Sequence, residues 1–164
     1  EMKSTGEVMG VGRSFGEAFV KSQFAAGTRL PKSGKVFLSV KPSDRPKAVD
    51  VARELHELGF SIVATRGTGG AISAAGIPVG IVNKVAEGRP HVVDLIKNGE
   101  IALIVNTVEE KRAAIVDSRS IRTSALGAKV TLFTTIEGGR AACAGMRHDG
   151  LETYSLQSLH AELE

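Results

Sequence analysis

The chain has 164 residues, 42% hydrophobic and 24% charged, which fits one domain or one domain with a tail from its neighbour. Its net charge is +3, with no Trp and an aromatic content of only 4%; this excludes the aromatic–basic interleaving of RNA-binding surfaces and favours α/β layers with a Val, Ile, Leu and Ala core. One cysteine, Cys143, excludes an intrachain disulfide and a multi-cysteine metal site and points to a reducing, cytoplasmic setting, and no apolar run approaches the roughly 18 residues of a membrane span.

Residues 1–33 read as a tail from a preceding domain and residues 34–164 as the domain proper. The chain begins with Glu and lacks the apolar segment of a signal peptide, so an excised piece of something longer is expected. Phe15, Ala18, Phe19 and Ser22 recur at helical spacing, and Gly27, Pro31 and Gly34 then break the pattern. Such a helix suits a linker packed on its neighbour.

From Lys35 onward, strands and helices alternate. Residues 36–40 form a short apolar run, the mark of a strand covered on both faces. Ser43 or Asp44 is placed to cap the next helix, Ala48, Val51, Ala52, Leu55 and Leu58 make its buried stripe, and Gly59 closes it. A second strand, 61–65, runs into Arg66-Gly67-Thr68-Gly69-Gly70, and a short helix ends at Gly76. Residues 79–82 are a third strand, followed by Asn83-Lys84 and the loop 87–90, and residues 91–97 a helix closed by Asn98-Gly99. Residues 101–105 are a fourth strand, with Asn106-Thr107 after it. Helical sequence runs through 112–115, restarts at an N-cap formed by Asp117 with Ser118, and ends near Gly127. A fifth strand, 129–135, precedes a helix after Gly138-Gly139. Five strands alternating with helices predict a mainly parallel five-stranded sheet in a three-layer, Rossmann-like α/β fold.

Ligands of such folds bind outside the carboxyl ends of the strands. Ser39 ends the first strand and Arg45 lies shortly beyond; Thr65, Gly67 and Thr68 follow the second, Lys84 the third, and Asn106 and Thr107 the fourth. A Gly-rich strand-to-helix turn offers backbone N–H groups and a helix dipole to an anion, although the same residues also make an ordinary tight turn. Lys84 alone reads as solvated, and Asn106 and Thr107 as helix caps. Convergence of these groups on one crevice favours an anionic ligand. The spacing is neither that of a Walker loop nor GxGxxG, which argues against an NTPase or a dinucleotide fold.

Catalytic signals are missing. His56, His91, His148 and His160 are scattered, so no metal site is expected. Cys143 lies in a small-residue helical run and reads as packing, and no serine occupies a nucleophile elbow. Glu87, Asp94, Glu109, Glu110 and Asp117 read as surface or helix-end charge. A pocket without a catalyst is the result.

The stretch Val82-Asn83-Lys84-Val85-Ala86-Glu87-Gly88-Arg89-Pro90-His91, with Ile96-Lys97-Asn98-Gly99, Ile104-Val105-Asn106-Thr107 and Asp117-Ser118-Arg119-Ser120-Ile121-Arg122, resembles the C-terminal domain of carbamoyl phosphate synthetase large subunits. Residues 6–15 resemble the end of the preceding ATP-grasp half. The resemblance implies a methylglyoxal-synthase-like fold and a regulatory domain without catalysis of its own. It implies UMP or IMP as effectors and, in some members, ornithine. It also implies a role in arginine and pyrimidine biosynthesis, a glutaminase small subunit as partner, oligomerisation through this domain, and ATP, Mg2+ and K+ used only by the catalytic domains. Neither nucleic acid nor a membrane is implied.

Ser39, Thr65, Thr68, Lys84, Asn106 and Thr107 match the family's nucleotide site, Arg45 stands where a bacterial member has a lysine and keeps the charge, and Lys111 and Arg112 would lie near the same anion. Val108 replaces a threonine of that site, and Leu132 a tyrosine that contacts ornithine, which argues against ornithine here. The competing reading is methylglyoxal synthase itself, acting on dihydroxyacetone phosphate. That enzyme needs an aspartate in a Gly-Gly-Asp segment, and the comparable loop here reads Glu87-Gly88-Arg89-Pro90-His91.

Overall fold

A computed structural model of the chain describes residues 8–109 and 112–148, with Ser155, Ser158 and Ala161 beyond them, and only the backbone of residues 112–114. Its centre is one parallel sheet with strand order β3-β2-β1-β4-β5. The strands are β1 (Lys35–Ser39), β2 (Ser61–Ala64), β3 (Gly80–Ile81), β4 (Ile101–Asn106) and β5 (Thr131–Phe133). The helices are α1 (Phe15–Ala25), α2 (Arg45–Glu57), α3 (Arg66–Ala74), α4 (Val92–Lys97), α5 (Arg112–Gly127) and α6 (Ile136–Met146). Three layers result, as the alternation of elements requires.

The two faces of the sheet bury different residues because strand side chains alternate. Val36, Leu38, Leu103 and Val105 pack with Val51, Leu55 and Ile72 of α2 and α3 and with Ile136 and Cys143 of α6. Phe37 and Ile104 point the other way, onto Val92 and Ile96 of α4 and Ile121 and Ala125 of α5. Residues 36–38 are fully buried on both faces, which explains their unbroken apolar run. Close packing continues outward. A Cβ on Gly139 would stand 3.0 Å from a methyl of Val105, and one on Gly16 would stand 2.7 Å from the carbonyl of Ala144. Helix α1, capped by Ser14, therefore lies directly on α6 of this domain.

Each of the first five helices is followed, two residues past its end, by a residue with positive φ: Gly27, Gly59, Gly76, Gly99 and Lys129. Gly59, at φ 88°, turns the chain off α2 and lets the Phe60 N–H bond the Leu55 carbonyl at 3.0 Å. Lys129 holds the same role at φ 55° without glycine's freedom.

Three local expectations fail. Helix α5 runs unbroken through Asp117, so Asp117 and Ser118 are interior residues rather than a new N-terminus. No Gly or Pro interrupts the stretch, and the buried Ser118 hydroxyl is bonded to Asn106 rather than to local backbone. Helix α6 starts before Gly138-Gly139, because the Thr135 side chain accepts the Gly138 N–H at 3.1 Å. Asp44 precedes α2, but its carboxylate does not cap the helix. It accepts a hydrogen bond from Thr107 instead.

Cys143 is fully buried, and burial, aided by the charge of Glu54, pushes its thiol up to about 12. It should not react with a thiol reagent at pH 8 until the chain is unfolded, which a colorimetric titration with and without denaturant would show. Among the described residues no helix is long and apolar enough to cross a membrane, and no group of His, Cys, Asp or Glu is arranged to hold a metal.

Candidate functional site

Because all strands are parallel, β1, β2, β3 and β4 deliver their following loops to one edge of the sheet. A cavity of about 260 Å³ opens there. Ser39, Arg45, Thr65, Gly67, Thr68, Lys84, Asn106 and Thr107 all line it, so eight of the ten expected site residues come together in one crevice. Lys111 and the side chain of Arg112 lie outside the described residues.

The Gly-rich stretch is not a loop. Helix α3 begins at Arg66, so Gly67, Gly69 and Gly70 belong to its first turns. Thr65 is its N-cap residue but makes no side-chain cap bond, and the first intrahelical bond is from Gly69 N–H to the Thr65 carbonyl. The N–H groups of Arg66, Gly67 and Thr68 thus have no acceptor within the helix, and the positive end of its dipole faces the crevice. A Cβ on Gly67 would come within 2.6 Å of Nη2 of Arg45. Glycine is there because the Arg45 guanidinium lies against the backbone.

Arg45 is the unusual cation. It is half-buried, and its Nε is sealed from solvent with no hydrogen-bond partner among the described residues. A buried guanidinium donor of this kind is costly unless something fills its vacant acceptor position. Arg66 and Lys84 also line the crevice and make no ion pair with a described residue. Lys84 is exposed at the rim, in keeping with its solvated reading.

The hydroxyl groups divide into two sets. Thr68 is buried, and its Oγ1 accepts the Val40 N–H at 3.1 Å. Oγ1 of Thr107 accepts the Lys41 N–H at 3.0 Å and donates to Oδ2 of Asp44 at 2.8 Å. Both threonines thus already serve the loop between β1 and α2. The Asn106 side chain donates to Oγ of Ser118 at 2.9 Å, in the interior of α5 rather than at its start. Ser39 differs: its Oγ accepts from Thr65 Oγ1 at 3.3 Å, which leaves its own proton available to the crevice.

Sequence reasoning missed Lys41, Arg66, Ser118 and Ile121 as lining residues. Arg66 sat inside the stretch already singled out, and Lys41 directly follows the first strand. Ser118 and Ile121 stood in a stretch quoted for the resemblance but carried no sign of lining a site, since only the fold of α5 brings them there. Val108 also lines the crevice and presents an apolar surface there. Glu87, Glu109 and Asp117 line it as well, so the site is cationic with an acidic border. Glu87 is engaged locally, accepting the Lys84 N–H at 2.9 Å.

The fold and the crevice define a class: an α/β domain whose strand ends enclose a crevice lined by a helix N-terminus, hydroxyl groups and a guanidinium that has no partner among the described residues. The family model for the MGS-like domain matches residues 47–134, and the chain belongs to that family. It is 65% identical to the carbamoyl phosphate synthase large chain of Ralstonia nicotianae, an alignment that covers 99% of this chain and 15% of the relative. The large chains of Xanthomonas campestris pv. campestris and Pseudomonas aeruginosa are 55% and 54% identical, each over 100% of this chain and 15% of the relative. The chain thus spans about 15% of the length of the curated relatives it matches.

Proposed function

We propose that this chain is the allosteric regulatory domain of a carbamoyl phosphate synthase large chain and that the crevice receives the phosphate of a nucleoside monophosphate such as UMP or IMP. The observation that carries the reading is Arg45, whose guanidinium makes no ion pair with a described residue and lies over the start of α3. A phosphate in the crevice would accept from the outer nitrogens of the guanidinium and meet the free N–H groups at the start of the helix. The bound anion would then bias a conformational equilibrium in the attached synthetase. On this reading ATP, Mg2+, K+ and the glutaminase subunit engage the remainder of the polypeptide. Ornithine is not included, because Leu132 presents no polar group.

Calorimetry with UMP, IMP, uridine, ornithine and inorganic phosphate tests the proposal. UMP or IMP should bind, uridine should not, and affinity should fall as salt rises from 50 to 300 mM, roughly as expected for contacts partly open to water. Equal binding of uridine and UMP would overturn it. Because Lys84 is exposed, Lys84→Ala should weaken nucleotide binding only a few-fold, about 1 kcal/mol at low salt. Methylglyoxal synthase is the reading to exclude, since Glu87, Glu109 and Asp117 border the crevice. Turnover of dihydroxyacetone phosphate is expected to stay at background.

A further inference from the structure

The loop that joins β1 to α2, residues 40–44, is held at both flanks by side chains from neighbouring strand ends. The Val40 N–H donates to Thr68 Oγ1, which follows β2, and the Lys41 N–H donates to Thr107 Oγ1, which follows β4. Two successive backbone N–H groups are thus satisfied by threonine hydroxyls rather than by secondary structure. The Thr107 hydroxyl accepts from Lys41 on a lone pair, and donation of its own proton to Oδ2 of Asp44 fixes the rotation of the hydroxyl. Asp44 closes a ring. Its backbone N–H bonds the Lys41 carbonyl at 3.0 Å, and its carboxylate lies 3.9 Å from Nζ of Lys41. Arg45 is the next residue, and its guanidinium projects from this ring to the start of α3.

We infer that Asp44 is a positioning residue for the anion site: its carboxylate fixes the Thr107 hydroxyl, and through it the loop that aims Arg45. The inference rests on the anion-binding reading given above. It assigns an acidic side chain a supporting role in a cationic site, where charge alone predicts the opposite. A nearby carboxylate should repel a phosphate. On the positioning role, its loss frees the Thr107 proton, loosens the hydroxyl that holds the Lys41 N–H and so weakens the hold of the loop on Arg45.

The two roles separate by substitution. Asn keeps an acceptor oxygen for Thr107 and loses the charge, whereas Ala loses both. Calorimetry with UMP and with inorganic phosphate should find Asp44→Asn binding as tightly as the parent chain or more tightly. Asp44→Ala should bind roughly tenfold more weakly, the effect of one lost hydrogen bond to a charged group. In an Arg45→Ala background the cost of Asp44→Ala should shrink to within about twofold, because the two residues act in series. Tighter binding by both Asp44 variants would overturn the inference and leave Asp44 as a repelling charge only. An undiminished cost in the Arg45→Ala background would also overturn it.

A second readout needs no ligand. Deuterium exchange followed by mass spectrometry should show faster exchange across residues 40–45 in Asp44→Ala than in Asp44→Asn or the parent, with thermal unfolding confirming that all three are folded. Unchanged exchange in Asp44→Ala would overturn the positioning role whatever binds. Absence of nucleotide binding by the parent chain would instead count against the anion reading, and the exchange result would still decide the role of Asp44.

Discussion

Replacing Arg45 with alanine should weaken nucleoside monophosphate binding by about 1.5–3 kcal/mol, the range for hydrogen bonds to charged groups, and leave the folded chain intact. The asymmetry follows from the side chain's surroundings. Among the described residues the Arg45 guanidinium makes no ion pair, and its Nε no hydrogen bond, so the folded domain loses little when they are removed. Removing an orphaned buried donor can even help stability slightly. Arg45→Lys should recover part of the affinity, because an ammonium supplies the charge without the fork. Gly67→Ala offers an independent route to the same outcome. Its new Cβ would stand 2.6 Å from Nη2 of Arg45, the mobile end of a long side chain, so the guanidinium moves rather than the fold. Calorimetry and thermal unfolding on the three variants give the pattern. A binding loss matched by an equal loss of stability would mean that Arg45 is structural.

Phe37→Ala should have the largest effect on stability, about 3–5 kcal/mol in urea denaturation, through lost burial and the cavity left behind. Phe37 is fully buried in the strand at the middle of the sheet and packs on the α4–α5 face among Val92, Ile96 and Ile121. Its neighbours on that face are aliphatic, and none of them can supply the volume of the lost ring. Ile81→Ala is the control. Ile81 lies on the edge strand β3 and is 52% exposed, so its replacement should cost under about 1 kcal/mol. Comparable losses at the two positions would contradict the packing described.

Most of the layer order was legible because periodicity reports burial directly. Val36-Phe37-Leu38 and residues 101–105 are apolar at every step, and both prove to be inner strands covered on two faces. The stripe Ala48, Val51, Ala52 and Leu55 on α2 is buried as its spacing predicts. Strand ends were legible too, and with them the crevice, since a parallel sheet sends every following loop to one side. What could not be read was the use of each polar group. Asp44 and Asp117 both look like N-caps by type and place, yet Asp44 is drawn to Thr107, 63 residues away, and Asp117 sits inside a continuous helix. Thr68 and Thr107 look like ligand groups, but their hydroxyls are turned to the β1–α2 loop. Side-chain partners distant in sequence leave no local pattern.

The positive-φ residues that close the helices give the domain a division of labour between its two ends. Gly59, Gly76, Gly99 and Lys129 all stand where a helix hands over to a strand, at the end of the sheet opposite the crevice. That end carries reversals of direction and little else, whereas the other carries Arg45, Thr65, Lys84 and Asn106. Insertions, permuted termini or fluorescent tags placed at the reversals around Gly76 or Gly99 would therefore leave the crevice undisturbed. Evolution has the same freedom: the scaffold can be trimmed or extended at one pole while the crevice at the other is left intact.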